Sequence, residues 1–328
     1  MKTIPLLEPL ADDLELVERR LVEPVHADYP HLTAVLESLL GSGGKRLRPA
    51  LALLAGRIYA ADLSKLVSLA ASVEMLHTAT LVHDDLIDGA LMRRGNTTLN
   101  ARWSMGATVL TGDYLFARAA ALAAETNHVR VMAIFANTLM VICSGELRQI
   151  FDRHNLPRLD SQDTWQGALD RYDERINAKT ASLFSASTEA AAVLGGAPET
   201  EVAALCEYGR LLGMGFQIID DVLDFEGDQS VLGKPVGSDL REGIVTLPVL
   251  YFQRDHPNDS RVAQVVQEGG SDELVFEVVE DIRASGAVSR ALDRARDFIT
   301  RSQDCLSVLP NSEPRVIMHA LADYTISR

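Results

Sequence analysis

The chain is short of cysteine, of aromatic side chains and of positive charge. Its 328 residues include only three cysteines, Cys143, Cys206 and Cys305, odd in number and without metal-ligand spacing. That pattern excludes a disulfide framework and a zinc-thiolate site, and fits reduced thiols in the cytoplasm. Lysine and arginine total 31 against 46 acidic residues, a net charge of −15. A balance that acidic argues against a nucleic-acid partner, because phosphate backbones select basic surfaces. The opening stretch "MKTIPLLEPLADDLELVERR" turns acidic where the apolar core of a signal peptide should run. No uninterrupted apolar run of spanning length interrupts the charge pattern, so no membrane span is expected. Gly/Ser-rich linkers and low-complexity tracts are also missing, and residues 1–328 read as one domain.

What is abundant is helical periodicity. Hydrophobic residues make up 47% of the chain, enough for a large core. Good helix formers fill 47–60, 63–90, 107–125, 129–152, 162–194 and 198–226, with shorter helical patterns beyond. Gly195-Gly196 followed by Pro198 marks one helix ending and the next beginning, Gly227 closes another, and Gly286 follows "DELVFEVVEDIRAS". The expected class is all-α, a single large helical bundle around a central cavity.

Two motifs break the apolar pattern. "LVHDDLIDGALMRRG" (81–95) and "IIDDVLDF" (218–225) share D-D-x-x-D with apolar flanks. On a helix Asp84 and Asp88 lie one turn apart on one face, and Asp220 and Asp224 repeat that spacing. Asp85 and Asp221 fall beside that face, as supports of the metal ligands. Two carboxylates about 4 Å apart repel by ~1 kcal/mol in water and ~4 kcal/mol at an effective dielectric of 20. A cation should compensate, and oxygen ligands without histidine or cysteine select Mg²⁺. Solvated acidic turns are the plain alternative, but Leu86, Ile87, Val222, Leu223 and Phe225 imply burial. A histidine-aspartate phosphohydrolase, suggested by His83-Asp84, would leave the second motif unexplained.

The cations cluster where anions are needed. "GSGGKRLRPA" (41–50) crowds Lys45, Arg46 and Arg48 near a helix start, unfavourable unless an anion joins them. Glycine-rich backbone with Lys and Arg describes a diphosphate cradle, although a solvated basic turn would look the same. His77 lies two turns before Asp84, Arg93-Arg94 follow the first motif, and Lys179-Thr180, Gln217 and Lys234 fall in apolar helices or beside the second motif. Together they suggest one metal-bridged diphosphate and one held by basic side chains.

The chain resembles the trans-prenyltransferases, the all-helical polyprenyl diphosphate synthases with the isoprenoid synthase fold. The likeness runs in order through "GGKRLRP" (43–49), "VEMLHTATLVHDDLIDGALMRRG" (73–95), "GDYLFARA" (112–119), "KTASLF" (179–184), "GFQIIDDVLD" (215–224) and "GKPVGSDLREG" (233–243). It implies condensation of isopentenyl diphosphate with an allylic diphosphate, releasing pyrophosphate. Carried over residue by residue, it implies that Asp84, Asp88, Asp220 and Asp224 bind Mg²⁺, with Asp239 supporting the second motif. Gly44, Lys45, Arg48, His77 and Arg94 would hold isopentenyl diphosphate, and Arg93, Lys179 and Lys234 the allylic diphosphate. Thr180 and Gln217 would place oxygen dipoles near the carbocation. Where the family commonly carries lysine, this chain has Ile244, which removes one cation near the allylic diphosphate.

The same resemblance bears on product length. The allylic tail is expected to run from Asp84 back along its helix, whose ~5.4 Å turns match one isoprene unit. Ala79 and Thr80, then Met75 and Leu76, are the gauge positions; a bulky aromatic at 79 goes with short products in the family. Met132, Phe135 and Leu139 have suitable spacing for a tunnel floor. A long-chain product is therefore expected, with a short-chain (farnesyl or geranylgeranyl) synthase as the rival. A terpene cyclase would have no use for the second diphosphate site. A non-catalytic partner subunit would be expected to lose aspartates that this chain keeps. The family's usual state is a homodimer, which is expected here; transient membrane contact for product release is a further expectation for this chain.

Overall fold

The computed structural model describes residues 4–23, 30–41, 44–93, 95–157, 159–226 and 236–327. Among them the chain is helical apart from one small hairpin, as the all-α class requires. It falls into two compact units, residues 1–138 with 183–209 and 305–321, and residues 139–182 with 210–304 and 322–328.

The first unit begins with a 3₁₀ turn (Pro5–Leu10) and helices α1 (Ala11–Val22), α2 (Pro30–Gly41), α3 (Leu47–Ile58) and α4 (Leu63–Ile87). A hairpin of β1 (Met92–Arg93) and β2 (Asn96–Thr97) then leads to α5 (Met105–Ala124). Helix α4 packs against α1, α3 and α5. Its stretch from Leu66 to Leu76 is buried on every side, which is what an apolar run without a polar face demands. The polar groups it carries inward are partnered: Ser72 Oγ donates to the Ala119 carbonyl at 2.7 Å. Asp62 caps its start, accepting from the Ser64 and Lys65 amides. Helix α6 (Val129–Asp152) follows α5, and α6 and α9 (Glu199–Glu226) each contribute residues to both units. Within the first unit α8 (Ser182–Leu194) and the start of α9 touch backbone to backbone at Gly209, where a Cβ would lie 2.5 Å from the Phe184 carbonyl oxygen. Thr188 Oγ1 seals the contact by donating to the Leu205 carbonyl at 2.6 Å.

The second unit holds α7 (Gln162–Ile176), the ends of α6 and α9, then α10 (Ser238–Arg241), α11 (Leu247–Asp255), α12 (Arg261–Glu268), α13 (Asp272–Ala284) and α14 (Ala287–Cys305). Helix α15 (Glu313–Ser327) closes the chain. Residues 162–194, expected as one helix, are interrupted by a π-turn at Asn177–Ala181, which inserts an extra residue where Lys179 and Thr180 sit.

By length and composition alone, α4 and α6 could cross a bilayer, contrary to the expectation of no such run. Core helices of soluble proteins pass the same test; α4 is largely buried, whereas α6 exposes most of its apolar residues.

Candidate active site

Both acidic motifs occupy the C-terminal end of a long helix. Asp84 is half-buried in the last turn of α4 and Asp88 is its exposed C-cap, with its amide donating to the Asp84 carbonyl at 2.8 Å. Asp220 is half-buried near the end of α9, followed by buried Asp221 and Asp224. The helix macrodipole is negative at this end, so carboxylates here are opposed twice, by each other and by the aligned carbonyls. A cation relieves both. Among the described residues no three His, Cys, Asp or Glu side chains converge into a ready-made cage. An oxygen-only, incomplete donor set suits a hard cation that keeps waters and takes further oxygens from a phosphate.

The central aspartates differ in their partners. Asp85 is buried and pairs with Arg93 Nε at 2.7 Å, across the turn that the hairpin creates. Burial pushes the Asp85 carboxyl up, and Arg93 works against that shift. Asp221 is bonded by neutral donors: Tyr172 donates to Oδ2 at 2.8 Å and Gln217 Nε2 to Oδ1 at 2.9 Å, while the Arg175 charge acts on it without a hydrogen bond among those described. Burial, with nearby Asp239 adding to it, pushes its carboxyl up to about 7. Asp224 accepts from Ser238 Oγ at 2.8 Å and from the Asp239 amide at 3.2 Å, tying α10 to α9. Asp239 itself is half-buried beside this junction, and the Ile244 amide donates to its carbonyl at 2.9 Å.

The flanks are less uniformly buried than the motif pattern implies. Val222 and Phe225 are in the core, but Ile87 is 45% exposed because α4 ends there. His83 is engaged within its own unit: its Nε2 lies 3.1 Å from the Val109 carbonyl and 3.6 Å from Asp113 Oδ1, and its ring packs where a Gly112 side chain would be.

The basic segment is split by its backbone. Arg46 adopts a left-handed φ of 49° and turns inward, bonding to Glu18 at 2.5 Å, Glu74 at 2.6 Å and the Leu40 carbonyl at 2.9 Å. Arg46 is thus satisfied within the protein. Lys45 remains exposed, and Arg48 places its guanidinium 4.6 Å from the centre of the Phe184 ring. Gly44 and His77 are half-buried, His77 on α4 two turns before Asp84. Arg94 and Lys234 lie outside the described residues.

In the second unit Lys179 pairs with Glu146 at 2.8 Å. Gly145 allows the π-turn to approach, since a Cβ there would sit 2.5 Å from the Ala178 Cβ. Thr180 Oγ1 donates to Gln217 Oε1 at 2.6 Å. Of the gauge positions, Met75, Leu76 and Ala79 are fully buried and Thr80 is half-buried. Met132, Phe135 and Leu139 are half-buried on α6.

Glu146, Tyr172 and Ser238 are partners that sequence reasoning missed, and Arg46, read among the diphosphate cations, is bonded to Glu18 and Glu74 instead. Tyr172 meets Asp221 across 49 residues, and no local signal marks such a pair.

Comparison with known proteins agrees over the whole length. The polyprenyl synthetase family model matches residues 29–282. Heptaprenyl diphosphate synthase component 2 of Geobacillus stearothermophilus is 40% identical over 99% of this chain and 98% of its own. Among solved structures, a decaprenyl diphosphate synthase from Rhodobacter capsulatus superposes with a TM-score of 0.87 at 37% identity, covering 98% of each chain. A polyprenyl synthase from Caulobacter crescentus, complexed with calcium and isoprenyl diphosphate, gives 0.86 at 37% identity, covering 98% of this chain and 97% of its own. The chain belongs to the polyprenyl synthetase family and is a prenyltransferase with the all-α isoprenoid synthase fold.

Proposed function

We propose that this protein is an all-trans polyprenyl diphosphate synthase that condenses isopentenyl diphosphate with an allylic diphosphate in the presence of Mg²⁺, giving a long-chain product. The observation that carries this reading is the pair of D-D-x-x-D motifs, each ending a long apolar helix where anions are disfavoured without a cation. Named relatives at 37–40% identity making heptaprenyl and decaprenyl chains support the long product.

In this reading Asp84, Asp88, Asp220 and Asp224 hold Mg²⁺, and bound Mg²⁺ neutralises charge on the departing pyrophosphate. Arg93, Lys179 and Lys234 add fixed positive charge to the same leaving group. Lys45, Arg48, His77 and Arg94 orient isopentenyl diphosphate so that its double bond attacks the allylic cation left when the C–O bond breaks. The electron pair of that bond leaves with pyrophosphate, which takes the final proton, so no side-chain base is required. Thr180 and Gln217 offer oxygen dipoles to the cation. Ile244 in place of a lysine weakens allylic binding or changes the preferred primer, while Arg93, Lys179 and Lys234 keep the enzyme active. Full burial of Ala79, the smallest gauge residue, supports a tail running past it.

The test is incubation with labelled isopentenyl diphosphate, Mg²⁺ and separate allylic primers, followed by chromatography of the dephosphorylated alcohols. Alcohols longer than geranylgeraniol are expected, and Ala79→Tyr should shorten them; unchanged length in that variant overturns the tunnel reading. A second reading rests on the likeness to a synthase component: a subunit that needs a different partner. Exposed Met140, Leu147 and Phe151 on α6 support association with another subunit, which we take to be a second copy. Failure with every primer would favour the partner-subunit reading.

A further inference from the structure

Four side chains in the second unit form one line of hydrogen bonds that converges on Asp221. Thr180 donates to Gln217, Gln217 donates to Asp221, and Tyr172 donates to the other Asp221 oxygen. Thr180, Asp221 and Tyr172 are all buried. Asp221 accepts at both oxygens, so the Gln217 amide must turn its NH₂ toward it and its carbonyl toward Thr180. That carbonyl in turn claims the Thr180 hydroxyl proton. What Thr180 has left to present is lone-pair density, the polarity that a developing cation needs.

The far end of the line is built as firmly as the near end. The Tyr172 ring has the Arg175 guanidinium 5.4 Å from its centre, and Arg175 Nη2 donates to the Val245 carbonyl at 2.7 Å. At the near end, the π-turn Asn177–Ala181 brings Thr180 within 2.6 Å of Gln217. A phenylalanine at 172 would keep the packing and remove one donor. Asp221 would then be held on one side only, free to turn away from Gln217, and the amide whose carbonyl claims the Thr180 proton would lose its anchor.

We propose that Tyr172 is a positioning residue for the prenyl transfer, acting through Asp221 and Gln217 to fix the direction of the Thr180 hydroxyl. This rests on the role given to Thr180 above. Tyr172 touches no substrate in this scheme; its effect is transmitted.

The experiment is a double-mutant cycle on the full-length protein with Tyr172→Phe and Thr180→Val, reading kcat, both KM values, half-saturating Mg²⁺ and the thermal melt. Tyr172→Phe should lower kcat about tenfold, in the range of other indirect supporting contacts. Both KM values, the Mg²⁺ requirement and the melting temperature should stay close to those of the parent. In the Thr180→Val background the same change should cost less than about twofold, because the group it orients is gone. An equal loss in both backgrounds, or a shifted Mg²⁺ requirement, overturns the relay. A fully active Thr180→Val overturns the role of Thr180 itself, and the relay with it, whereas an impaired Thr180→Val with additive effects overturns the relay alone. Should Tyr172→Phe fold poorly, Asp221→Asn, which replaces one carboxyl oxygen with an NH₂ donor, is read in the same cycle.

Discussion

The two aspartate motifs have the same spacing but differ in how their central carboxylate is held. In the first, Asp85 is matched by a cation, Arg93, brought back by a hairpin with two residues in each strand. In the second, Asp221 is held by the neutral donors Tyr172 and Gln217, and burial pushes its carboxyl up to about 7. The third aspartates differ too: Asp88 is an exposed helix cap, whereas Asp224 is buried and receives Ser238 and the Asp239 amide. The first motif is thus a local device that carries its own counter-charge. The second is integrated into its unit through α7, α9 and α10, and can transmit the position of one side chain to another.

Variants can break that comparison. The largest effect should come from the first aspartate of each motif: Asp84→Asn and Asp220→Asn should each lower kcat by ~10²–10³-fold, measured by incorporation of labelled isopentenyl diphosphate. If only one of them matters, the parallel between the motifs fails. Next, Arg93→Gln leaves the buried Asp85 carboxylate without its cation and should cost ~1–3 kcal/mol in urea unfolding, most of it recovered when Asp85→Asn is added. No recovery would mean that the pair is incidental. The smallest effect is expected of Ser238→Ala, ~1 kcal/mol by the same measurement, from the loss of one donor to Asp224. A change too small to detect would remove the anchoring role of that hydroxyl.

Much of this architecture is legible in the chain itself. The periodicity gives α6 at its observed bounds and α3, α4, α5 and α9 within a few residues, because long apolar repeats and helix caps are local signals. Gly196 and Gly286 take the positive φ expected of residues just beyond a helix end. The π-turn is not legible, since a single inserted residue leaves the helical pattern of 162–194 intact. Nor is the β1–β2 hairpin, whose strands are too short for an alternating pattern to show. Arg46 shows the same limit at the site. Its sequence neighbours place it with the diphosphate cations, whereas its left-handed backbone and the distant Glu18 and Glu74 turn it into the core. Residue type and spacing reveal which groups want a counter-ion, but not whether another part of the chain supplies it.

The central claim is that the outer aspartates of the two motifs serve a metal–diphosphate complex while the central ones serve the protein. The most direct measurement is Mn²⁺ binding, followed by electron paramagnetic resonance in the presence of an allylic thiodiphosphate that does not ionise. The account predicts that the parent protein and Asp85→Asn immobilise Mn²⁺ when the thiodiphosphate is added, and that Asp84→Asn and Asp220→Asn bind it much more weakly. Unchanged Mn²⁺ binding in those two variants, or loss of binding in Asp85→Asn alone, would contradict it.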